Sequence, residues 1–236
     1  MLGVLKYDSS WRAASESNRL QTSGPERERV ELMLSLRSWW KTLAELRWYL
    51  VASVLLFAVG YMLGNRLEGL QDFVTGQLAG LGQVKEQLMK SENQELSFFV
   101  FIFYNNAIKA VIIMFAGFLF GLLPAFFLVV NGMVIGFLLR MMELMGQNIT
   151  ENAVKGLLPH GILEIPAILI AAAYGLKFGV LVMQKLFGSR LRRSNISLVE
   201  WAKRTGAGAV WVTVVLLIAA LIESTVTFRL MSHNIG

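Results

Sequence analysis

Three stretches of this chain carry no charged residue over lengths that few water-soluble folds tolerate: residues 48–65, residues 205–222, and everything between Lys109 and Arg140. A helix needs about 20 mostly apolar residues to cross the hydrocarbon core of a bilayer. Each of these stretches meets that need, and the longest exceeds it. Composition agrees: of 236 residues, 55% are hydrophobic and 16% charged, with four prolines and a mean hydropathy of +0.56. A soluble domain of this size would carry more charge and interrupt its apolar runs more often. The sequence therefore predicts an all-α fold, a polytopic membrane helical bundle.

Five spans account for the apolar sequence, at about residues 48–64, 98–122, 124–146, 158–183 and 208–228. Trp39, Trp40, Trp48 and Tyr49 mark the interface before the first span, where amphipathic aromatic rings settle. The long run between Lys109 and Arg140 is divided at Pro124, because proline suits the first turn of a helix and one span of that length would overshoot the bilayer. Three regions result: an N-terminal segment, 1–47; a transmembrane domain, 48–228; and a tail, 229–236. The first 47 residues are polar and of mixed charge, unlike a cleaved signal peptide, so the first span also directs insertion.

Lys and Arg set the orientation. Segment 1–47 holds eight and segment 184–205 six, whereas 65–97, 146–157 and 229–236 hold three, one and one. Five spans put these on alternate sides, and the basic side faces the cytoplasm. The N-terminus is then cytoplasmic and the C-terminus extracytoplasmic, in a multi-pass cell-membrane protein. The net charge of +6 reads as this bias rather than as a nucleic-acid footprint. With no cysteine in the chain, disulfides, thiolate nucleophiles and iron–sulfur ligation are excluded.

The extracytoplasmic segment 65–97 repeats Leu67, Leu70, Val74, Leu78, Leu81, Val84 and Leu88 at helical spacing. It is predicted to be an amphipathic helix lying on the membrane or capping the bundle; a docking surface for an extracytoplasmic partner is the sharper alternative. Asn148-Ile149-Thr150 forms a glycosylation sequon, which matters only in a eukaryotic secretory pathway.

Four G-x-x-x-G pairs recur: Gly60 with Gly64, Gly117 with Gly121, Gly132 with Gly136, and Gly175 with Gly179. Lipid tails provide no hydrophobic drive between helices, so close backbone approach through small residues does that work. Packing within one chain accounts for most such pairs, and a homo-oligomer interface is the further expectation.

Polar residues within the spans cost free energy unless paired or wet. They are Asn105, Asn106 and Lys109 on one face of the second span, Asn131, Arg140 and Glu143 on the third, His160, Glu164 and Lys177 on the fourth, and Glu223 on the fifth. Under the orientation above, all but Asn131 and Lys177 fall in the outer half. They are expected to form one outward-side cluster, in which Lys109 and Arg140 offset Glu143, Glu164 and Glu223 to within one charge. Lys177 is expected to snorkel to the cytoplasmic interface.

His160 and Glu164, in the sequence LLPHGILEIP, raise the question of chemistry. The spacing reads H-G-x-x-E, whereas the zinc motif H-E-x-x-H places two histidines on one helical face. The other histidine, His233, lies near the C-terminus, and no nucleophile elbow accompanies a Ser-His-Asp set. Neither a metal nor another cofactor, nor a catalytic residue, is predicted. A polar fastening between helices is the leading reading, with Pro159 shaping the start of the span.

Three segments, NNAIKAVIIMFAGFLFGLLPAFFLVVNGMVIGFLL, LLPHGILEIPAILIAAAYGLKFG and LLIAALIES, resemble the membrane region of the stage II sporulation protein M (SpoIIM) family. The resemblance covers about residues 48–228 and is best between Asn105 and Gly179. It rests on an asparagine-bearing second helix, a G-x-x-P break, an N-G-x-x-x-G third helix and a P-H-G-x-x-E fourth; Glu223 fits the acidic residue of the last. In spore formers the namesake belongs to a membrane complex that degrades peptidoglycan during engulfment and has no known enzymatic activity of its own. The resemblance implies a non-enzymatic membrane scaffold or assembly factor for a cell-envelope complex, partnered by the lipid bilayer, by other membrane or envelope proteins and by further copies of itself. The alternative is a small transporter, channel subunit or lipid-handling protein that uses the outward polar cluster; breaks at Pro124 and Pro159 suit it, since broken helix ends coordinate ions or anionic headgroups.

Overall fold

The computed structural model describes residues 32–66, 76, 88, 90–146, 158–188 and 196–233, with the side chains of 158–160 and 226–233 outside the description. Among the described residues the regular structure is helical, and six helices are named here. α1 is Leu36–Glu45, α2 Arg47–Arg66, α3 Gln94–Ala116, α4 Leu122–Leu144, α5 Leu158–Phe187 and α6 Leu198–His233. α2 to α6 include five segments long and apolar enough to cross a membrane. The predicted amphipathic helix of 65–97 falls almost wholly outside the described residues, as do the Asn148 sequon and most of the N-terminal segment.

α5 is the central helix and packs against α2, α3, α4 and α6. Its spanning window is 56% buried, against 17% for that of α2 at the periphery. Sequence explains the difference. Ala171, Ala172, Ala173, Gly175 and Gly179 give α5 a thin waist that neighbours approach on several sides, and all five are buried. Exposed leucines, valines and methionines on α2 instead face outward, as a lipid-facing surface requires.

The four glycine pairs meet two by two. A Cβ on Gly60 or Gly64 would strike the carbonyl oxygens of Val129 or Met133 on α4, and one on Gly132 or Gly136 would strike those of Phe57 or Tyr61 on α2. That is a reciprocal seam. A second joins Gly117 to the Gly175 carbonyl and Gly179 to the backbone at Phe120 and Gly121. Here one member is not a helix pair but the turn between α3 and α4, seated on α5.

That turn ends the second span sooner than expected. α3 stops at Ala116 rather than near Leu122, because Phe120 (φ 58°) and Gly121 (φ 76°) both take left-handed backbone that no α-helix contains. Gly121 tolerates this at no steric cost and precedes α4, whose first turn holds Pro124. α6 differs in the other direction. It starts at Leu198 instead of Gly208, with Ser197 Oγ accepting from the Glu200 amide at 3.1 Å and Glu200 itself in the first turn. α1 has no counterpart among the expected helices. Ser35 caps it through the Ser38 amide, and Trp39, Thr42, Leu43 and the following Leu46 form its buried face at helical spacing.

Candidate functional site

α1, α5 and the first turns of α6 converge at one end of the bundle, and their polar side chains meet there. Lys177 is on α5, with its side chain only 9% exposed; its Nζ lies 3.5 Å from Glu45 Oε2 at the end of α1. The same ammonium sits 4.0 Å from the centre of the Trp201 ring on α6. Arg204, one turn further along α6, reaches Glu45 Oε2 at 3.3 Å, and its Nε donates to Glu200 Oε1 at 3.0 Å. Glu45 thus receives two cations from two helices.

Magnitudes separate these contacts. The Glu45 side chain is 46% exposed, so its ion pairs fall near the range of about 1 kcal/mol or less measured for exposed pairs. The cation–π contact is shielded, and such contacts reach about 2 kcal/mol when desolvated. Lys177 therefore depends on Glu45 mainly to avoid being a buried charge without a counterion. Instead of ending in solvent as a snorkelling lysine does, its ammonium lies over an aromatic face and meets the Glu45 carboxylate at the end of α1.

Aromatic rings complete the end. Tyr174 stacks on Trp201 with centroids 5.4 Å apart, and Trp201 Nε1 donates to the Tyr174 carbonyl at 3.4 Å. Trp39 stacks on Trp211 at 5.7 Å, and Trp211 Nε1 donates to the Leu34 carbonyl at 3.0 Å, pinning the chain just before α1. Gly208 is fixed by the same packing, since a Cβ there would lie 2.6 Å from the Tyr174 hydroxyl. Between these groups lies a cleft of about 180 Å³, lined among others by Ser38, Trp39, Lys41, Glu45, Tyr174, Glu200 and Arg204. Trp39 Nε1 and the Tyr174 hydroxyl are buried against each other, the indole N–H interacting with the hydroxyl oxygen, and neither atom has a further hydrogen-bond partner.

The residues expected in the outer cluster are placed as follows. Asn105 and Asn106 are half-buried on α3 and bonded to each other at 3.4 Å, while Lys109 is exposed. Asn131 donates to the Phe127 carbonyl of its own helix at 2.8 Å. Arg140 pairs with Glu143, also within α4, and both side chains are exposed, at 44% and 50%. Glu164 is half-buried on α5 and Glu223 buried on α6; neither carboxylate is free. The His160 side chain lies outside the described residues. Among the described residues, no group of three or more His, Cys, Asp or Glu side chains could hold a metal ion.

Glu45, Glu200, Arg204, Tyr174 and Trp39 were absent from the expected cluster. The signals for them were local: Trp39, Leu43 and Leu46 share a helical face, and Glu200 and Arg204 stand at i,i+4 spacing in a helix-forming stretch. Nothing local joins Glu45 to Arg204, which are brought together only by the fold.

A model of the family described as stage II sporulation protein M matches residues 46–228, and the chain belongs to this SpoIIM family. No curated protein and no solved structure matches it. The matched stretch begins at Leu46, so α1 and Glu45 lie before it.

Proposed function

We propose, with membership of that family as the premise, that the chain is a non-enzymatic integral membrane scaffold, positioning partners in a cell-envelope complex of the peptidoglycan-remodelling kind. The observation that supports this reading is the closure of the bundle. α2 and α4 touch backbone to backbone at Gly60, Gly64, Gly132 and Gly136, and the α3–α4 turn does the same on α5. Helices that approach this closely leave no room for a solute between them. Among the described polar residues of α4, Asn131, Arg140 and Glu143 bond within their own helix, as groups in a structural span do.

The end carrying α1 faces the cytoplasm in this reading, by the Lys and Arg bias. A reporter fused after Leu191 then reads as cytoplasmic and one fused after Gln83 as extracytoplasmic; the reverse pattern overturns the orientation. All four glycine pairs are engaged inside the chain, so a homo-oligomer would form through other faces.

Affinity purification from the native membrane tests the scaffold reading. Stoichiometric envelope proteins are expected to copurify, and vesicles reconstituted with pure protein are expected to show no proton or ion flux. Robust flux that disappears in a stable Glu164→Gln variant would sink the scaffold and favour a transporter.

A further inference from the structure

Lys109 is an exposed cation well inside a membrane span. It lies about 22 Å from the first residue of α3 and about 10 Å from the last, at about 1.5 Å per residue. It makes no ion pair or hydrogen bond with any described residue. Snorkelling does not rescue it. Side chains on a helix lean toward its N-terminus, which for Lys109 is the distant end. A four-carbon stem covers little more than one helical turn, about 5.4 Å. The nearer end is no better: the turn after α3 carries no polar side chain and exposes Phe118, Leu119 and Phe120, so the apolar surface continues beyond Ala116. A lysine in hydrocarbon is costly, and such residues in membrane helices face a bundle interior, a water-filled cavity or a counterion.

The face around Lys109 is that of a helix still to be packed. Ile108 and Ile112 are exposed beside it, and Asn105 stands one turn away. Asn105 Nδ2 donates to Asn106 Oδ1 at 3.4 Å, which leaves the Asn105 carbonyl oxygen and a second N–H for another helix. Charge argues against a second copy of this chain as the occupant. A two-fold interface sets the same patch on both sides, so it would bring two Lys109 ammoniums together. Nor does the chain offer a spare carboxylate: Glu143 pairs with Arg140, and neither Glu164 nor Glu223 is free.

We propose that this face of α3 docks a transmembrane helix of another membrane protein, through an Asp or Glu carboxylate at the depth of Lys109. The ammonium donates to the carboxylate, Asn105 adds a hydrogen bond, and Ile108 and Ile112 pack on the apolar flanks. Polar side chains join membrane helices in this way. The inference deepens the scaffold reading and rests on it for the existence of such a partner.

Energy transfer in phosphatidylcholine vesicles tests it. The full chain carries a donor dye on a cysteine added after Gly236, in a sequence that otherwise has none. Synthetic leucine–alanine helices with Glu, Leu or Lys at the centre carry the acceptor. The Glu helix is expected to saturate at about tenfold lower density than the Leu helix, the upper range for a polar contact between membrane helices, and the Lys helix to match Leu. Lys109→Met should abolish the difference and Lys109→Arg keep it. Tm of Lys109→Met is expected to equal or exceed that of wild type, since no contact within the chain is lost. A fall in Tm would place Lys109 within the fold and overturn the proposal. So would a Glu helix that binds no better than the Leu helix, or one that binds Lys109→Met equally well. Transfer between labelled copies of the chain that Lys109→Met abolishes would give the face to a second copy, which also overturns it. Copurification of envelope proteins is read separately: its failure beside a Glu helix that binds sinks the scaffold reading alone.

Discussion

α2 is held against α4 by the absence of side chains, whereas α1 is held against α5 and α6 by their presence. At the first seam Gly60, Gly64, Gly132 and Gly136 bring carbonyl oxygens to where Cβ atoms would stand. At the second, Glu45, Lys177, Arg204, Trp39 and Trp211 build an ion-paired and aromatic contact. The difference follows from the solvent around each. In hydrocarbon the association of helices relies on packing, because lipid is as apolar as leucine. At the end of the bundle an amphipathic helix has an apolar face to bury, and ion pairs are affordable where the carboxylate keeps partial contact with water.

The largest effect is expected where the comparison is sharpest. Gly132→Leu or Gly136→Leu places a side chain against the α2 backbone, which cannot rotate away as a side chain would. Overpacking a core commonly costs about 1–3 kcal/mol and sometimes more; contact with rigid backbone places this case at the upper end, about 3 kcal/mol or above. Unfolding of the variant in detergent measures it. A wild-type Tm would mean that α2 and α4 are not joined through these glycines.

The two seams also differ in how legible they were. G-x-x-x-G is a local pattern, so the sequence marked all four pairs, although not which pair meets which. The Gly117–Gly121 pair looked helical and turned out to frame a turn, because Phe120 takes a left-handed conformation that an aromatic residue rarely adopts and that spacing does not encode. The five spans were legible for the same reason: hydropathy is summed over adjacent residues. The site was not. Lys177 showed as the one cation placed in the inner half of a span, but its partner Glu45 lies in a segment read as polar and N-terminal, with α2 to α4 between them in the chain. The ten-residue early start of α6, from Leu198 rather than Gly208, hid Glu200 and Arg204 in what looked like a connecting segment.

An intermediate effect is expected at the polar end. Lys177→Met keeps much of the apolar stem and its packing on Trp201, removes the cation–π contact, and leaves Glu45 with Arg204 as its remaining cation. A buried pair broken on one side costs about 3–5 kcal/mol, but Glu45 is half-exposed and keeps a partner, so about 1–2 kcal/mol is expected. Glu45→Gln alone should cost more than Glu45→Gln placed on Lys177→Met, since in the double variant no buried ammonium is left uncompensated. A double-mutant cycle on unfolding free energies gives the coupling directly. Strict additivity would show that Lys177 and Glu45 do not interact, and the second seam would reduce to the Arg204–Glu45 pair and its aromatic stack.

The smallest effect is expected at Arg140 and Glu143, and its smallness is informative. The two pair at i,i+3 on α4 with both side chains about half exposed. Pairs of this kind stabilise a helix by about 0.2–0.5 kcal/mol, and screening by salt reduces that further. Arg140→Gln should therefore lie within about 0.5 kcal/mol of wild type at low salt and be indistinguishable from it at high salt. Glu223 supplies the contrast, because it is a carboxylate at 8% exposure whose replacement by Gln alters a buried polar contact. If the outer polar residues acted as one cluster, Arg140→Gln would resemble Glu223→Gln in size and would resist salt. If the two ends of the bundle differ as their geometry indicates, with α4 satisfying its polar groups alone and α1 depending on other helices, Arg140→Gln is nearly silent while Lys177→Met is not. Unfolding of the three variants at two salt concentrations decides between these, and a salt-resistant loss of more than about 1 kcal/mol at Arg140 would restore a shared outer cluster.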